Sequence, residues 1–212
     1  MTRVKICGLT NREDVGAAVA AGADAVGVIS DVPVDTHRAV TPGNAADLLA
    51  NVPPFVASVL VTMPDASDRA IELVEQVDPD VLQINGALPP DDLAILADAV
   101  DASLVRAVDA SNPGQARELT DVVDAIVVDS LTDGAGGTGH THDWDRSREA
   151  VRDLDVPVVL AGGLTPRNVG EAIETVDPFA VDVASGVEGK DGRKDHDALR
   201  AFVERAAATS RQ

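Results

Sequence analysis

The sequence predicts a single α/β domain, a (β/α)8 TIM barrel, over residues 1–212. Short apolar runs alternate with longer helix-like stretches, the pattern of parallel strands joined by crossover helices. The alternation occurs eight times and ends on a helix, as in a barrel of eight strand-helix units. The length of 212 residues and the hydrophobic content of 45% fit one domain with a substantial core. An open doubly wound sheet is the alternative, but it usually has fewer strands, and no glycine-rich dinucleotide fingerprint follows the first strand.

Eight strands are predicted from the short apolar runs, and no low-complexity segment or linker separates them. They are Arg3–Cys7, Ala25–Ile29, Phe55–Val61, Val81–Ile84, Leu104–Val108, Ala125–Asp129, Val158–Ala161 and Ala180–Val183.

Eight helices are predicted between and after these strands. They are Arg12–Ala21, Pro42–Ala50, Asp68–Gln76, Pro90–Ala99, Pro113–Leu119, Arg146–Asp153, Pro166–Thr175 and His196–Ala207. Three of them follow a capping residue joined to proline, at Thr41-Pro42, Asn112-Pro113 and Thr165-Pro166. The capping side chain satisfies a free amide and the proline presets the first turn.

The charge of the chain is strongly negative, with 36 acidic and 17 basic residues and a formal net charge of -19. The acidic residues are spread along the chain, which argues against nucleic acid as a partner. Asp outnumbers Glu by 27 to 9, and lysine occurs only three times. Because salt screens the self-repulsion of such a surface, we expect adaptation to high salt.

Cysteine content and hydropathy indicate the compartment. The single cysteine, Cys7, cannot form an intrachain disulfide. No apolar run is long enough to cross a bilayer and no signal-peptide pattern is present, so we expect a cytoplasmic protein without a membrane partner. Both a monomer and a homodimer remain open, and the acidic surface favours the monomer.

Polar residues and glycines stand at the predicted carboxyl ends of several strands, where barrel enzymes build their active sites. These residues are Cys7, Gln83, Asp129-Ser130, Gly162-Gly163 and the segment from Asp182 through Ser185-Gly186 to Glu188. The loops after strands seven and eight often hold a phosphate through backbone amides. Gly162, Gly163, Ser185 and Gly186 therefore predict a phosphate site, although glycines there also serve tight turns.

Lys5 is predicted to face the barrel interior. Alternation along the first strand places Lys5 on the face of Cys7, while Val4 and Ile6 point to the helices. A buried ammonium needs a partner, and Asp182 on the eighth strand is the natural one.

Several motifs together resemble the phosphoribosylanthranilate isomerase family of tryptophan biosynthesis, along the whole chain. They are Lys5-Ile6-Cys7-Gly8-Leu9-Thr10, Gln83, Asp129-Ser130, Gly136-Gly137-Thr138-Gly139, Asp143-Trp144, Ala161-Gly162-Gly163-Leu164 with Asn168, Val181 through Glu188, and Lys194-Asp195. Related phosphosugar barrels of histidine and indole synthesis share the late phosphate loops but lack the early Cys-Gly-Leu-Thr.

The resemblance implies an Amadori rearrangement of an aminoaldose phosphosugar to an aminoketose, without a cofactor. It implies that Asp129 is the general acid for the ring oxygen and that Cys7 is the general base for the C2 proton. It implies that Arg38 receives the anthranilate carboxylate, which suits the planar fork of a guanidinium. We expect Gln83, Lys5 and Asp182 to be further substrate-binding residues.

The two roles make opposite demands on ionisation. As an acid near neutral pH, Asp129 needs a raised pKa, and the preceding run Ala125–Val128 offers the apolar burial that raises it. As a base, Cys7 must be available as thiolate. Lys5 either favours that thiolate or only neutralises a buried carboxylate.

The chain departs from the family at Val28-Ile29-Ser30, at Asn85-Gly86 and at His142, which leaves open how the aromatic ring is held. His140 and His142 make a poor metal site without a set of carboxylates, so no metal is expected. Two alternative functions are a phosphosugar-binding barrel without catalysis and an isomerase that also accepts the aminoaldose of histidine synthesis.

Overall fold

The computed structural model describes residues 1–110, 112–129, 144, 147–148, 152 and 154–209. These contain nine parallel strands, numbered in chain order: β1 Arg3–Ile6, β2 Ala25–Ser30, β3 Ala39–Val40, β4 Ala57–Thr62, β5 Val81–Ile84, β6 Ser103–Asp109, β7 Ala125–Asp129, β8 Val158–Leu160 and β9 Ala180–Val183. β3 has only two residues and pairs with the end of β2.

The described helices lie between and after these strands. They are α1 Arg12–Ala21, α2 Pro42–Leu49, α3 Ser67–Val77, α4 Pro90–Ala99, α5 Pro113–Arg117, α6 Val169–Val176, a 3-10 helix at Ser185–Val187, and α7 His196–Thr209. Among the residues described, none of these helices has the length and apolar character needed to cross a membrane.

The sheet closes on itself because β1 pairs with β9 on one side and with β2 on the other. Each of the remaining neighbours is also a parallel pair, through β4, β5, β6, β7 and β8. Setting β3 aside, eight strands form the closed barrel, and the predicted (β/α)8 fold is confirmed.

Two apolar layers follow from the alternation of side chains along the strands. Val4 and Ile6 point outward into the main core between barrel and helices. Cys7 instead belongs to a smaller interior cluster with Val59 and Val61, and Lys5 is likewise buried. The predicted orientation of the first strand is therefore confirmed.

Most predicted bounds differ from the structure by no more than two residues, but the starts of two elements were misplaced for an identifiable structural reason. Phe55 was predicted to begin a strand, but it is fully exposed with a left-handed φ of 74°, so β4 begins only at Ala57. Pro166 was predicted to begin a helix, but α6 begins at Val169. The side chain of Asn168 accepts a hydrogen bond from the Thr165 amide at 2.7 Å and closes a turn before the helix.

Other predicted starts are confirmed. Thr41 caps α2 by accepting a hydrogen bond from the Asn44 amide at 3.3 Å, with Pro42 in the first turn. Asn112 precedes α5, but its side chain makes no capping bond. The predicted helix Arg146–Asp153 lies mostly outside the described residues.

Candidate active site at the carboxyl ends of the strands

A narrow cavity of about 70 Å³ lies at the carboxyl ends of the barrel strands. Its lining brings together eight of the ten predicted site residues, all except Lys5 and Gly186: Cys7, Arg38, Gln83, Asp129, Gly162, Gly163, Asp182 and Ser185. A larger cavity of about 600 Å³ lies at the opposite, amino-terminal end, and neither Cys7 nor Asp129 lines it. The chemistry predicted from the sequence therefore belongs to the narrow cavity.

Lys5 and Asp182 form the ion pair predicted from the sequence. They are partners in the register of β1 and β9, and Lys5 Nζ lies 2.6 Å from Asp182 Oδ2. Burial alone would lower the pKa of Lys5, but the charges of Asp182 and Cys7 outweigh burial and raise that pKa. Lys5 is thus a permanent cation beneath the cavity. The other oxygen of Asp182, Oδ1, is buried without a hydrogen-bond partner among the described residues.

The Cys7 thiol is buried beside Lys5. Gly27 on β2 makes room for both, because a Cβ there would lie 3.0 Å from Cys7 Sγ and 3.3 Å from Lys5 Nζ. Burial raises the pKa of the thiol, and this effect exceeds the opposite influence of the Lys5 charge. The charge of Lys5 does act to lower the pKa of the thiol, as one of the two interpretations of Lys5 predicted. The neutral thiol nevertheless prevails near neutral pH.

Asp129 ends β7 in the apolar setting that the sequence predicted. Ile126, Val127 and Val128 are at most 2% exposed, and Asp129 itself is 8% exposed. Its backbone carbonyl accepts a hydrogen bond from the Ala110 amide at 2.9 Å, which ties β7 to the end of β6. The raised pKa required of a general acid stays a prediction.

Arg38 reaches the cavity but is already paired with Glu188. Its Nε donates to Glu188 Oε1 at 2.7 Å, and its Nη2 donates to Oε2 at 2.8 Å. The aliphatic part of Arg38 packs over Gly8, where a Cβ would lie 2.7 Å from Arg38 Cδ. The residue after Cys7 must therefore be glycine for Arg38 to reach the cavity.

Glu188 is also held by Lys194, whose Nζ donates to Glu188 Oε1 and to the Ala184 carbonyl, each at 2.9 Å. The Lys194 side chain is 1% exposed and that of Glu188 is 8% exposed. Burial acts to raise the pKa of Glu188, but hydrogen bonds from Arg38 and Lys194 outweigh it and lower that pKa to about 2. Glu188 is therefore ionised at neutral pH.

The two late loops come together as the phosphate prediction requires. Gly162 and Gly163 follow β8 with left-handed φ values of 88° and 63°. The Asn168 side chain donates to the Gly163 carbonyl at 3.0 Å and so fixes this turn. Gly186 lies against the same loop, since a Cβ there would come within 1.8 Å of the Leu164 carbonyl oxygen. Close approach of the loops thus depends on glycine at position 186.

Gln83 is buried and contacts Asn85, one of the positions where the sequence departs from the family that it resembles. Its Nε2 donates to Asn85 Oδ1 at 3.1 Å. Ile29, another departure, lines the cavity beside Cys7. An aliphatic side chain thus occupies part of the wall.

Sequence reasoning missed three residues of this site. Glu188 and Lys194 were noted only within motifs, and Gly27 was not singled out. A signal existed for Lys194, because it is one of only three lysines in a chain with a net charge of -19. Alternation along β2 was the signal for Gly27, which faces the barrel interior.

Some predicted motif residues lie outside the described part of the chain: Ser130, Gly136-Gly137-Thr138-Gly139, His140, His142 and Asp143. Within the described ranges, no group of three or more His, Cys, Asp and Glu side chains is placed to hold a metal ion.

Comparison with known proteins gives one consistent match. The model of the N-(5'phosphoribosyl)anthranilate (PRA) isomerase family matches residues 4–205. The chain is 56% identical over 207 residues to N-(5'-phosphoribosyl)anthranilate isomerase of Halorubrum lacusprofundi, covering 97% of both. It is 57% identical over 212 residues to the enzyme of Haloferax volcanii, covering 100% of this chain and 95% of that one. These relatives come from halophilic archaea, which supports the salt adaptation predicted from composition.

Solved structures give the same match. Phosphoribosyl anthranilate isomerase of Thermotoga maritima superposes with a TM-score of 0.88 at 34% identity, covering 98% of this chain and 100% of that one. A crystal structure of phosphoribosyl anthranilate isomerase in complex with reduced 1-(o-carboxyphenylamino)-1-deoxyribulose 5-phosphate has a TM-score of 0.84 at 33% identity, with the same coverage.

Proposed function

Because the chain belongs to the N-(5′-phosphoribosyl)anthranilate isomerase family of tryptophan biosynthesis, we propose that Asp129 and Cys7 carry out its isomerisation as general acid and general base. The reaction is an Amadori rearrangement of the aminoaldose phosphosugar to the aminoketose. The supporting observation is that both side chains, although distant in sequence, line one cavity. Arg38 and the glycine-containing loops after β8 and β9 line the same cavity.

In the first step, Asp129 donates its proton to the furanose ring oxygen as the bond from that oxygen to C1 breaks. The electron pair on the anthranilate nitrogen forms a C=N bond to C1, so the ring opens to an iminium ion. Burial beside the apolar end of β7 favours the protonated carboxyl group that this step needs.

In the second step, the Cys7 thiolate removes the proton from C2. The C–H electron pair forms a C1–C2 double bond and neutralises the iminium nitrogen, and the resulting enol becomes the ketone. The reactive protein therefore has a proton on Asp129 and none on Cys7. Lys5 supports this state through its positive charge, while burial opposes it.

The ends of the substrate are held by groups on either side of this pair. The phosphate binds at Gly162, Gly163, Ser185 and Gly186, where two loops meet. The carboxylate binds to the guanidinium of Arg38. Asp182 Oδ1 accepts a hydrogen bond from a sugar hydroxyl, since no described residue donates to it. Gln83 contacts the sugar from the fifth strand.

The test is a fluorescence assay with freshly generated phosphoribosylanthranilate in high salt, using wild type, Asp129→Asn and Cys7→Ala. Each substitution removes one proton-transfer group, so we expect kcat to fall by about 10²- to 10⁴-fold. KM should stay within a few-fold because neither change removes the phosphate loops or Arg38.

The outcomes separate activity from mechanism. A wild-type rate no higher than the non-enzymatic rate would leave only a phosphosugar-binding barrel. Full activity in Cys7→Ala would overturn the assignment of the base, and full activity in Asp129→Asn would overturn that of the acid. Lys190→Ala, an exposed change away from the cavity, is the control.

A further inference from the structure

Arg38 uses only one of its two hydrogen-bonding edges in the structure. Glu188 occupies the edge formed by Nε and Nη2. A guanidinium has five N–H donors, and the terminal edge formed by Nη1 and Nη2 can bind a second carboxylate in a bidentate manner. Within the described residues, Nη1 has no hydrogen-bond partner.

A second carboxylate on Arg38 creates a problem of charge. Glu188 is ionised and its side chain is only 8% exposed, so it repels any anion that shares the same guanidinium. Arg38 and Glu188 alone sum to zero charge, and a ligand carboxylate would leave the group with one uncompensated negative charge. Such a charge is costly in a poorly solvated site.

Lys194 supplies the missing positive charge. Its ammonium lies 2.9 Å from Glu188 Oε1, on the same carboxylate that holds Arg38, and its side chain is 1% exposed. His37 also faces Glu188, with Nε2 at 3.4 Å from Oε2, but its side chain is 54% exposed. With Lys194 present, the two cations balance Glu188 and one further carboxylate.

We propose that Lys194 is a positioning residue that neutralises Glu188, so that Arg38 can hold the carboxylate of the ligand on its terminal Nη1/Nη2 edge. Glu188 orients the guanidinium and Lys194 cancels the charge that this orientation introduces. The inference rests on the proposed function, because it takes the ligand carboxylate to lie on Arg38. It adds a charge-balancing pair that does not itself touch the ligand.

The bond from Lys194 to the Ala184 carbonyl requires a suitable control, because Ala184 precedes the proposed phosphate residue Ser185. Loss of Lys194 could therefore weaken phosphate binding as well. Two ligands separate the effects. One is reduced 1-(o-carboxyphenylamino)-1-deoxyribulose 5-phosphate, and the other is the same molecule prepared from aniline, which lacks only the carboxylate.

The experiment measures the dissociation constants of both ligands by calorimetry, at the lowest KCl concentration that keeps the protein folded. In Lys194→Met we expect the preference for the carboxylated ligand to fall by about tenfold. In the double variant Glu188→Gln/Lys194→Met, no carboxylate remains to repel the ligand, so the preference should return to within about threefold of wild type. Lys190→Met, a change at an exposed lysine of the same loop, should leave the preference unchanged.

A merely structural role for Lys194 gives a different result. Both ligands would then weaken equally in Lys194→Met, or the double variant would lose still more preference, and either result overturns the proposal. If Lys194→Met does not unfold cooperatively, the single variant is not properly folded and only the double variant is used. A preference of the double variant for the carboxylated ligand far below that of wild type then contradicts charge balance. Failure of the proposed function is seen separately, as absence of isomerase activity in the wild-type protein.

Discussion

Lys5 Nζ lies 2.6 Å from Asp182 Oδ2, across the seam where the last strand of the barrel meets the first. Both side chains are 8% exposed. Asp182 lines the cavity, and the charges of both residues act on Cys7, so the pair affects the stability of the barrel and the ionisation of the thiol.

Loss of Lys5 should destabilise the fold. Lys5→Met leaves the Asp182 carboxylate buried without its cation, and we expect a loss of about 3–5 kcal/mol in the free energy of unfolding. Urea unfolding at constant KCl measures this loss. Lys5→Met/Asp182→Asn should recover part of it, because no unpaired charge remains. A loss below about 1 kcal/mol in the single variant would show that the pair is not a structural requirement.

The Cys7 thiol should titrate above its ordinary range, because burial raises its pKa more than Lys5 lowers it. Cys7 is the only cysteine, so the ultraviolet absorbance of the thiolate, with Cys7→Ala subtracted, reports this group alone. Lys5→Met should raise the midpoint further. In Asp129→Asn the proposed general acid is absent, so the residual kcat/KM should rise with pH through the midpoint of the Cys7 thiol. A titration midpoint below the ordinary pKa of a cysteine thiol would show that burial is not the dominant influence on Cys7.

A methyl group at position 186 should disturb the late loops. In Gly186→Ala the new Cβ would meet the Leu164 carbonyl at 1.8 Å, so one loop must move. We expect about 1–3 kcal/mol of destabilisation. We also expect KM to rise by about tenfold, because the displaced loop loses one hydrogen bond to the charged phosphate and such a bond contributes about this factor to binding. Gly16→Ala is the matched control, because a Cβ at that exposed helical position meets nothing within 4 Å. An unchanged KM in Gly186→Ala would show that the loops bind no phosphate.

Glu188 should stabilise the protein at neutral pH and lose this effect in acid. Its pKa falls from 4.5 to about 2 on folding, against the effect of burial, through hydrogen bonds from Arg38 and Lys194. A lowered pKa in the folded state adds stability above the unfolded pKa, and this stability is lost as pH falls towards the folded pKa. We expect the wild-type protein to be more stable than Glu188→Gln by on the order of 2 kcal/mol in the free energy of unfolding at neutral pH. This difference should shrink as the pH falls from about 4.5 towards 2. Denaturant unfolding of both proteins across this pH range, at fixed KCl, measures the difference in the free energy of unfolding. A difference that does not change with pH would show that ionisation of Glu188 does not stabilise the fold.

Stability should rise with salt. The net charge of -19 makes the folded chain repel itself, and ions screen that repulsion. Thermal unfolding in KCl from about 0.1 M to several molar should show a steadily rising Tm. A Tm that is the same in dilute buffer and in molar KCl would rule out salt adaptation of this surface.

Local pattern alone determined the strand-helix order, the interior face of Lys5 and Cys7, and the acidic surface. Alternation and short apolar runs suffice for these features, because they depend on residues close in sequence. Val81–Ile84 and Ala125–Asp129 were predicted with the bounds that the structure shows. Phe55 and Pro166 were misplaced because a left-handed residue and an Asn168 turn interrupt otherwise regular patterns.

Only the tertiary structure decided which charges meet. Arg38 and Glu188 are separated by 150 residues, and their bidentate pair cannot be read from either local sequence. Closure of the barrel brings β9 and the loop after it beside β1. This places the charges of Asp182 and Lys194 near Cys7 and brings Glu188 to Arg38. The ionisation of the thiol depends on the same closure, because burial and neighbouring charges act through space, whereas a sequence pattern specifies only which face of a strand a side chain occupies.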